Sequence, residues 1–316
     1  MTFVLASAGL ERFSSMVVTG LSIGAIYALL ALGFVIIFKA TQVVNFAHGA
    51  LAAAGAALVA SFAVGMNFPG RFMPGAPVWL TWALAVVCAV AVASLLGIGL
   101  ERAFIRPMIG QPLFSVAVIT LGIDIVVRTI TNDWLGAEIK PLGNPFGTAV
   151  FQFGVVRIPH TQVLQIVVTL LVVMGLAVFF RSRTGIAMRA TAFDQEAALA
   201  QGISVAKVFS TSWAIGAGLA ALGGLFAATF PRASGVSTLT AFVAFRALPA
   251  VILGGLDSVV GAVVGGFAIG MAEAAAGTYV TGMGAGFPGI VPYLVMILVL
   301  LVRPYGLFGT EEIRRV

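Results

Sequence analysis

Seven stretches of about twenty residues run through this sequence almost without charge. They lie at roughly Met16–Phe38, Phe46–Met66, Val78–Gly99, Leu113–Thr131, Thr161–Phe180, Val205–Phe230 and Ser258–Gly277. A helix rising 1.5 Å per residue needs about 20 apolar residues to cross a hydrocarbon core, so each run is long enough to span a bilayer. Two shorter runs, Ala241–Leu256 and Gly289–Val302, fit tilted, partial or neighbour-covered segments. The expected fold is all-α and polytopic, with about nine transmembrane helices (eight to ten). It forms a single transmembrane domain over 1–316, carrying a cytoplasmic segment at 181–207.

Composition leaves no soluble alternative. The 316 residues include 17 basic and 11 acidic ones, where a soluble domain of this length carries roughly 80 charged side chains. The mean hydropathy is +1.12 and the pI about 10.1. The basic residues are scattered through short inter-helix segments and form no stripe, so no nucleic-acid partner is expected and membrane lipid is. The lone cysteine, Cys88, cannot form an internal disulfide and reads as small core packing. The first fifteen residues lack a basic leader and Phe3–Leu10 is too short to span, so a cleaved signal peptide is not expected.

Orientation follows from Lys and Arg. Placing the longest interior polar segment, Arg181–Lys207, in the cytoplasm puts Arg181, Arg183, Arg189 and Lys207 inside. Alternation adds Lys39, Arg102, Arg106, Arg303, Arg314 and Arg315 to that side. Arg12, Arg71, Lys140, Arg157 and Arg232 fall outside, a bias of ten to five. The N-terminus is expected outside, the C-terminus in the cytoplasm, and Asn132–His160 as an external loop.

Few residues carry chemistry. Gly20-Leu21-Ser22-Ile23-Gly24 matches a nucleophile elbow, but that motif needs a strand before it and a His and carboxylate nearby. Within an unbroken apolar helix the same residues read as a small-residue packing face, extended by Ala28. Gly261–Gly265 and Gly266–Gly270 repeat the spacing. His48 and His160 stand far apart with no ligand-spaced Cys or carboxylate, so neither a metal nor another cofactor is expected. Each of the three lysines follows Phe38, Ile139 or Ala206 rather than the glycine of a phosphate-binding loop. The chain therefore has no ATP site of its own and no catalytic residues; it is not expected to be an enzyme.

Charges inside spans cost about 2.5–3.5 kcal/mol each at a helix centre, so each needs an explanation. Asp124 and Arg128 are four apart, suited either to a structural pair with Arg128 reaching the interface or to a functional one. Arg246 and Glu273 either line a polar path or satisfy backbone carbonyls. Two breaks in the apolar pattern, Asn45-Phe46-Ala47-His48-Gly49 and Leu253-Gly254-Gly255-Leu256-Asp257-Ser258, read either as ordinary turns or as pathway elements. In the second reading Asn45, His48, Gly254, Gly255 and Asp257 are the candidates.

The segment Arg181–Lys207 is the most informative. Asp194–Gln201 favours a short helix, with Asp194 at its start and Gly202 suited to a left-handed C-terminal position. Phe193, Ala197 and Ala200 share one face at i, i+4, i+7 spacing. Such a helix fits the groove of a soluble partner; the other reading is a solvated connector.

At these residues the chain resembles the permease subunits of ABC importers for branched-chain amino acids, in particular the shorter of the two paired permease types. Four stretches carry the resemblance: Gly24–Gly33 running into Asn45–Gly49, Gly185–Ile203, Arg246–Gly261, and the tail Leu300–Gly309. It implies a multi-pass protein of the bacterial plasma (inner) membrane. It also implies a second homologous permease, two ATP-binding subunits and an extracytoplasmic substrate-binding protein as partners. In that family the Gly185–Gly202 region docks on the ATPase, which points to Arg189, Asp194, Ala197, Leu199 and Gly202 as coupling residues. Two departures stand out: Asp257 replaces the third glycine of Gly-Gly-x-Gly-Ser, and Arg246 replaces a common lysine. Related permeases move urea, amides or other amino acids. The competing function is an ion-coupled secondary transporter or channel for a small solute such as urea or an amide, with Asp124 or Glu273 titrating at mid-membrane. An intramembrane enzyme would require His48 with Ser22.

Overall fold

A computed structural model describes residues 2–136, 138–153, 156–229 and 232–309. The tail cations Arg314 and Arg315 lie outside the described residues. Long helices dominate: α1 (Thr2–Thr41), α2 (His48–Ala60), α3 (Val78–Leu100), α4 (Leu113–Leu135), α5 (His160–Phe179), α8 (Val205–Ala227) and α10 (Val259–Tyr279). Short helices α6 (Arg183–Phe193) and α7 (Gln195–Ala200) lie between α5 and α8, and α9 (Val243–Gly254) and α11 (Val291–Val302) flank α10. Turns of π-helix, Ser61–Gly65 and Glu101–Ile105, prolong α2 and α3. Between α4 and α5 a hairpin forms from β1 (Val150–Phe153) and β2 (Val156–Pro159), with Phe151 opposite Ile158.

Seven helices are long and apolar enough to cross a membrane, the first covering Gly9–Thr41. Thr238–Gly254 and Phe287–Val302 are the shorter apolar helices. The long runs of the sequence thus became helices near their expected bounds. Segment 132–160 differs in part, because α4 continues to Leu135 and the hairpin occupies its far end.

The centre of the bundle is α1, which packs on α5, α8, α9 and α10. Between Met16 and Phe38 it is apolar on every side, the pattern of a helix surrounded by other helices rather than by water. Ala25, Tyr27, Leu30 and Val35 are fully buried. By contrast α3, α4 and α5 expose large apolar side chains such as Leu95, Ile125 and Leu171, as lipid-facing helices do.

Close approach of α1 and α10 depends on glycine. A Cβ at Gly24 would sit 2.7 Å from the Phe267 Cα, one at Gly266 would sit 2.5 Å from the Ala28 nitrogen, and one at Gly270 would collide with Gly24 backbone. This is the small-residue face expected of Gly20, Gly24 and Ala28, with Ser22 turned instead to the Gln165 Oε1. Gly24→Leu will therefore force two backbones apart and sharply lower the folded fraction on size exclusion, overpacking costing about 1–3 kcal/mol. Gly122→Leu, at a position with nothing within 4 Å, will elute as the unaltered protein does.

Candidate functional site

The end of the molecule bearing α6 and α7 is built as a projecting elbow. The Ser182 hydroxyl caps α6 by accepting from the Gly185 nitrogen at 3.3 Å. Gly185, Met188 and Thr191 face inward, and α6 rests on α1 and α8. Asp194 is extended (φ −155°), ends α6 and caps α7, its carboxylate accepting from the Ala197 nitrogen at 2.9 Å. Ala198 is buried. Ile203 N–H donates to the Ala198 carbonyl and Gly202 N–H to Leu199, with Gly202 left-handed at φ +78°. That closure favours glycine because a Cβ is disfavoured there.

Ala197, Leu199 and Ala200 are exposed, as is Glu196. Leu199 is 57% exposed and Phe193 94% exposed. Phe193 is the last residue of α6, so the face expected for Phe193, Ala197 and Ala200 is interrupted by the extended Asp194. Arg189 is exposed on α6. Gln195, the first residue of α7, borders a pocket of about 230 Å³ with Thr41 of α1 and Met108 and Leu113 on either side of the α3–α4 connection. Beside it, buried Glu101 binds Arg106 at 2.9 Å and accepts from the Ser210 hydroxyl at 2.5 Å, tying the end of α3 to α8. α7 itself packs on α6 and α8, so a displacement of α7 is passed to both.

The two breaks occupy different places. Asn45 and His48 are buried among α1, α2 and α4. Asn45 Oδ1 accepts from the Ala47 nitrogen at 3.0 Å, and Phe46 N–H donates to Thr120 of α4. The His48 ring stacks on Phe34 at 4.2 Å between centroids, in space that a Cβ at Gly33 would occupy. Gly254, Gly255 and Asp257 form the turn between α9 and α10, where Gly255 is left-handed (φ +101°). The tail folds over this turn: Leu307 N–H donates to the Leu253 carbonyl at 2.8 Å and Phe308 N–H to Gly254 at 3.1 Å. Lys39 Nζ donates to the Asp257 carbonyl at 3.1 Å. The turn and the tail are therefore one structural unit, separate from Asn45 and His48.

The intramembrane charges resolve individually. Asp124 and Arg128 form an ion pair at 2.8 Å, with the guanidinium over the Phe242 ring. Arg246 is exposed on α9. Glu273 is buried and bound to Arg232 at 2.9 Å and to the Tyr27 hydroxyl at 2.5 Å, while Arg232 reaches that hydroxyl at 3.2 Å. Gln165 centres a second cluster, accepting from the Ser22 hydroxyl and donating to the Phe226 carbonyl and to Thr229. Sequence reasoning placed Arg232 in a loop and assigned Tyr27 and Gln165 no role. The available signal was Glu273 itself, since a buried carboxylate needs a cation.

Among the described residues no group of three His, Cys, Asp or Glu side chains is placed to hold a metal ion. The arrangement is an apolar helical bundle with polar clasps at its ends and one projecting elbow. Residues 16–300 match the family described as branched-chain amino acid transport system, permease component, and the chain belongs to that family. It is 30% identical over 311 residues to the high-affinity branched-chain amino acid transport system permease protein LivH of Escherichia coli, covering 96% of this chain and 98% of that protein. It is 32% identical over 317 residues to BraD of Pseudomonas aeruginosa, with the same coverage. A probable branched-chain amino acid transport permease protein LivH of Methanocaldococcus jannaschii is 27% identical over 300 residues, covering 90% of this chain and 88% of that one. No solved structure matches.

Proposed function

We propose that this chain is the transmembrane permease subunit of an ABC importer for branched-chain amino acids, a multi-pass protein of the bacterial inner membrane. The observation that carries the reading is the α6–α7 elbow: a short capped helix with exposed Ala197, Leu199 and Ala200, resting on α1 and α8 of a bundle with no nucleotide motif. Partner ATPases grip this elbow through Asp194, Ala197, Leu199 and Gly202 and draw it as they close on ATP, while Arg189 on α6 faces the groove between α5 and α10. Its seating on α1 and α8 turns that movement into reorientation of the spans. A second homologous permease completes the conduit, and a substrate-binding protein delivers the ligand from outside. The polypeptide itself performs no catalysis.

An apolar route suits branched side chains, and a zwitterion brings little net charge. Asn45 and His48 are the polar groups that meet those charges in passing, and Gly254, Gly255 and Asp257 border the pathway at the turn under the tail. The carboxylates an ion-driven carrier would titrate, Asp124 and Glu273, are each held by an arginine.

Nine passes place the elbow in the cytoplasm, the C-terminus inside and the hairpin outside. In a Cys88→Ala background, Leu199→Cys will react with a membrane-impermeant maleimide only from the cytoplasmic side, and Val150→Cys only from outside. Labelling of Leu199→Cys in intact cells would overturn the topology.

A further inference from the structure

At the elbow end of the bundle, α5 and α10 both pack on α1 and leave a groove between them. The groove encloses about 570 Å³. Its long walls are aliphatic: Val173 and Ala177 on α5 face Val260 and Val264 on α10, each pair one helical turn apart. Val260 is 64% exposed, so this track opens to the outside of the chain rather than into its core. The end beside the elbow is polar. Lys39 of α1 and Arg189 of α6 border it, with Asp257. Lys39 uses one donor on the Asp257 carbonyl and retains two. Arg189 makes no hydrogen bond or ion pair with any described residue. The rim therefore places two cations beside Asp257, itself engaged, at one end of an aliphatic channel.

We propose that this groove holds an anionic phospholipid, its phosphodiester between Lys39 and Arg189 and one acyl chain along the valine track. Two cations match a phosphodiester, and juxtamembrane Lys and Arg favour anionic headgroups. A free phosphate would use the rim but gain nothing from the valines, whereas a chain filling the track removes exposed valine surface from contact with mobile lipid. The proposal rests on the topology above only for which leaflet supplies the lipid. Its failure would leave the uptake and labelling results untouched.

The test is native mass spectrometry of the permease assembled with its partner subunits. It is titrated with phosphatidylglycerol, with phosphatidylethanolamine of the same chains, and with inorganic phosphate. Phosphatidylglycerol will be retained at about tenfold lower concentration than phosphatidylethanolamine. Lys39→Gln with Arg189→Gln will equalise the two lipids. Val264→Trp, which fills the track, will lower retention of both while the cations remain. Millimolar phosphate will not displace the lipid. Equal retention by the unaltered protein, or a preference surviving in the double variant, overturns the proposal. Displacement by inorganic phosphate would make this a free-anion site. A preference that appears only after removal of residues 310–316, which carry Glu311 and Glu312, would make the chain's own tail the occupant.

Discussion

Ala197→Glu will cut ATP-driven uptake at least about thirtyfold while leaving the permease folded. Ala197 is exposed and hydrogen-bonds through its backbone: its N–H donates to the Asp194 carboxylate and its carbonyl accepts from the Gln201 N–H. A glutamate there keeps those bonds, and its helix propensity is close to that of alanine. The free subunit therefore has no structural reason to change. In the docked state the new carboxylate is trapped against a partner surface without a cation, a loss of about 2–5 kcal/mol for an unpaired charge in an interface. Each 1.4 kcal/mol is tenfold in affinity, so the lower bound gives the figure above. Gly202→Asp is a less clean probe, because the left-handed backbone at φ +78° adds strain of its own. Uptake by proteoliposomes, scored beside the size-exclusion profile, decides it; full uptake by a folded Ala197→Glu protein removes the elbow from coupling.

Glu273→Gln will destabilise the permease by about 3 kcal/mol. Removing one partner of a buried ion pair strands the other, at about 3–5 kcal/mol. The lower end applies because the Arg232 side chain is 21% exposed. The change also weakens the acceptor for the Tyr27 hydroxyl, and Tyr27 lies in the fully buried core of α1. Thermal melting in detergent will show the drop. Replacing Arg232 with methionine in the same protein will recover a large part of it, since two neutral side chains leave no stranded charge. If Glu273→Gln melts with the unaltered protein, the clasp contributes nothing and Glu273 is free for another role.

The spans were legible because membrane crossing is written in local composition: twenty apolar residues in succession need no knowledge of their neighbours. The elbow was legible for a similar reason. Asp194 as an N-cap and Gly202 as a left-handed closure are one-residue devices whose chemistry is local. What stayed hidden depends on which helix faces which. Apart from Glu273, α10 and the Met16–Phe38 stretch of α1 are apolar all round, so no polar stripe reveals that Gly20, Gly24 and Ala28 meet Gly266 and Gly270. For the same reason nothing pairs Glu273 with Arg232, 41 positions away, or Ser22 with Gln165, 143 away. The tail's role over Leu253 and Gly254 is likewise written only in backbone hydrogen bonds. Arg246 likewise depends on its surroundings: the apolar run shows that it is a charge in a span, and only the folded α9 shows that its side chain is exposed on this chain.

The most direct measurement is uptake of radiolabelled leucine into proteoliposomes holding this chain, with and without its partner permease, ATPases and binding protein. Accumulation against a gradient is expected only from the full set supplied with ATP, and none from this polypeptide under an imposed proton or sodium gradient. Uphill movement by the chain alone would mean that it carries its own engine, and the role assigned to the elbow would be wrong.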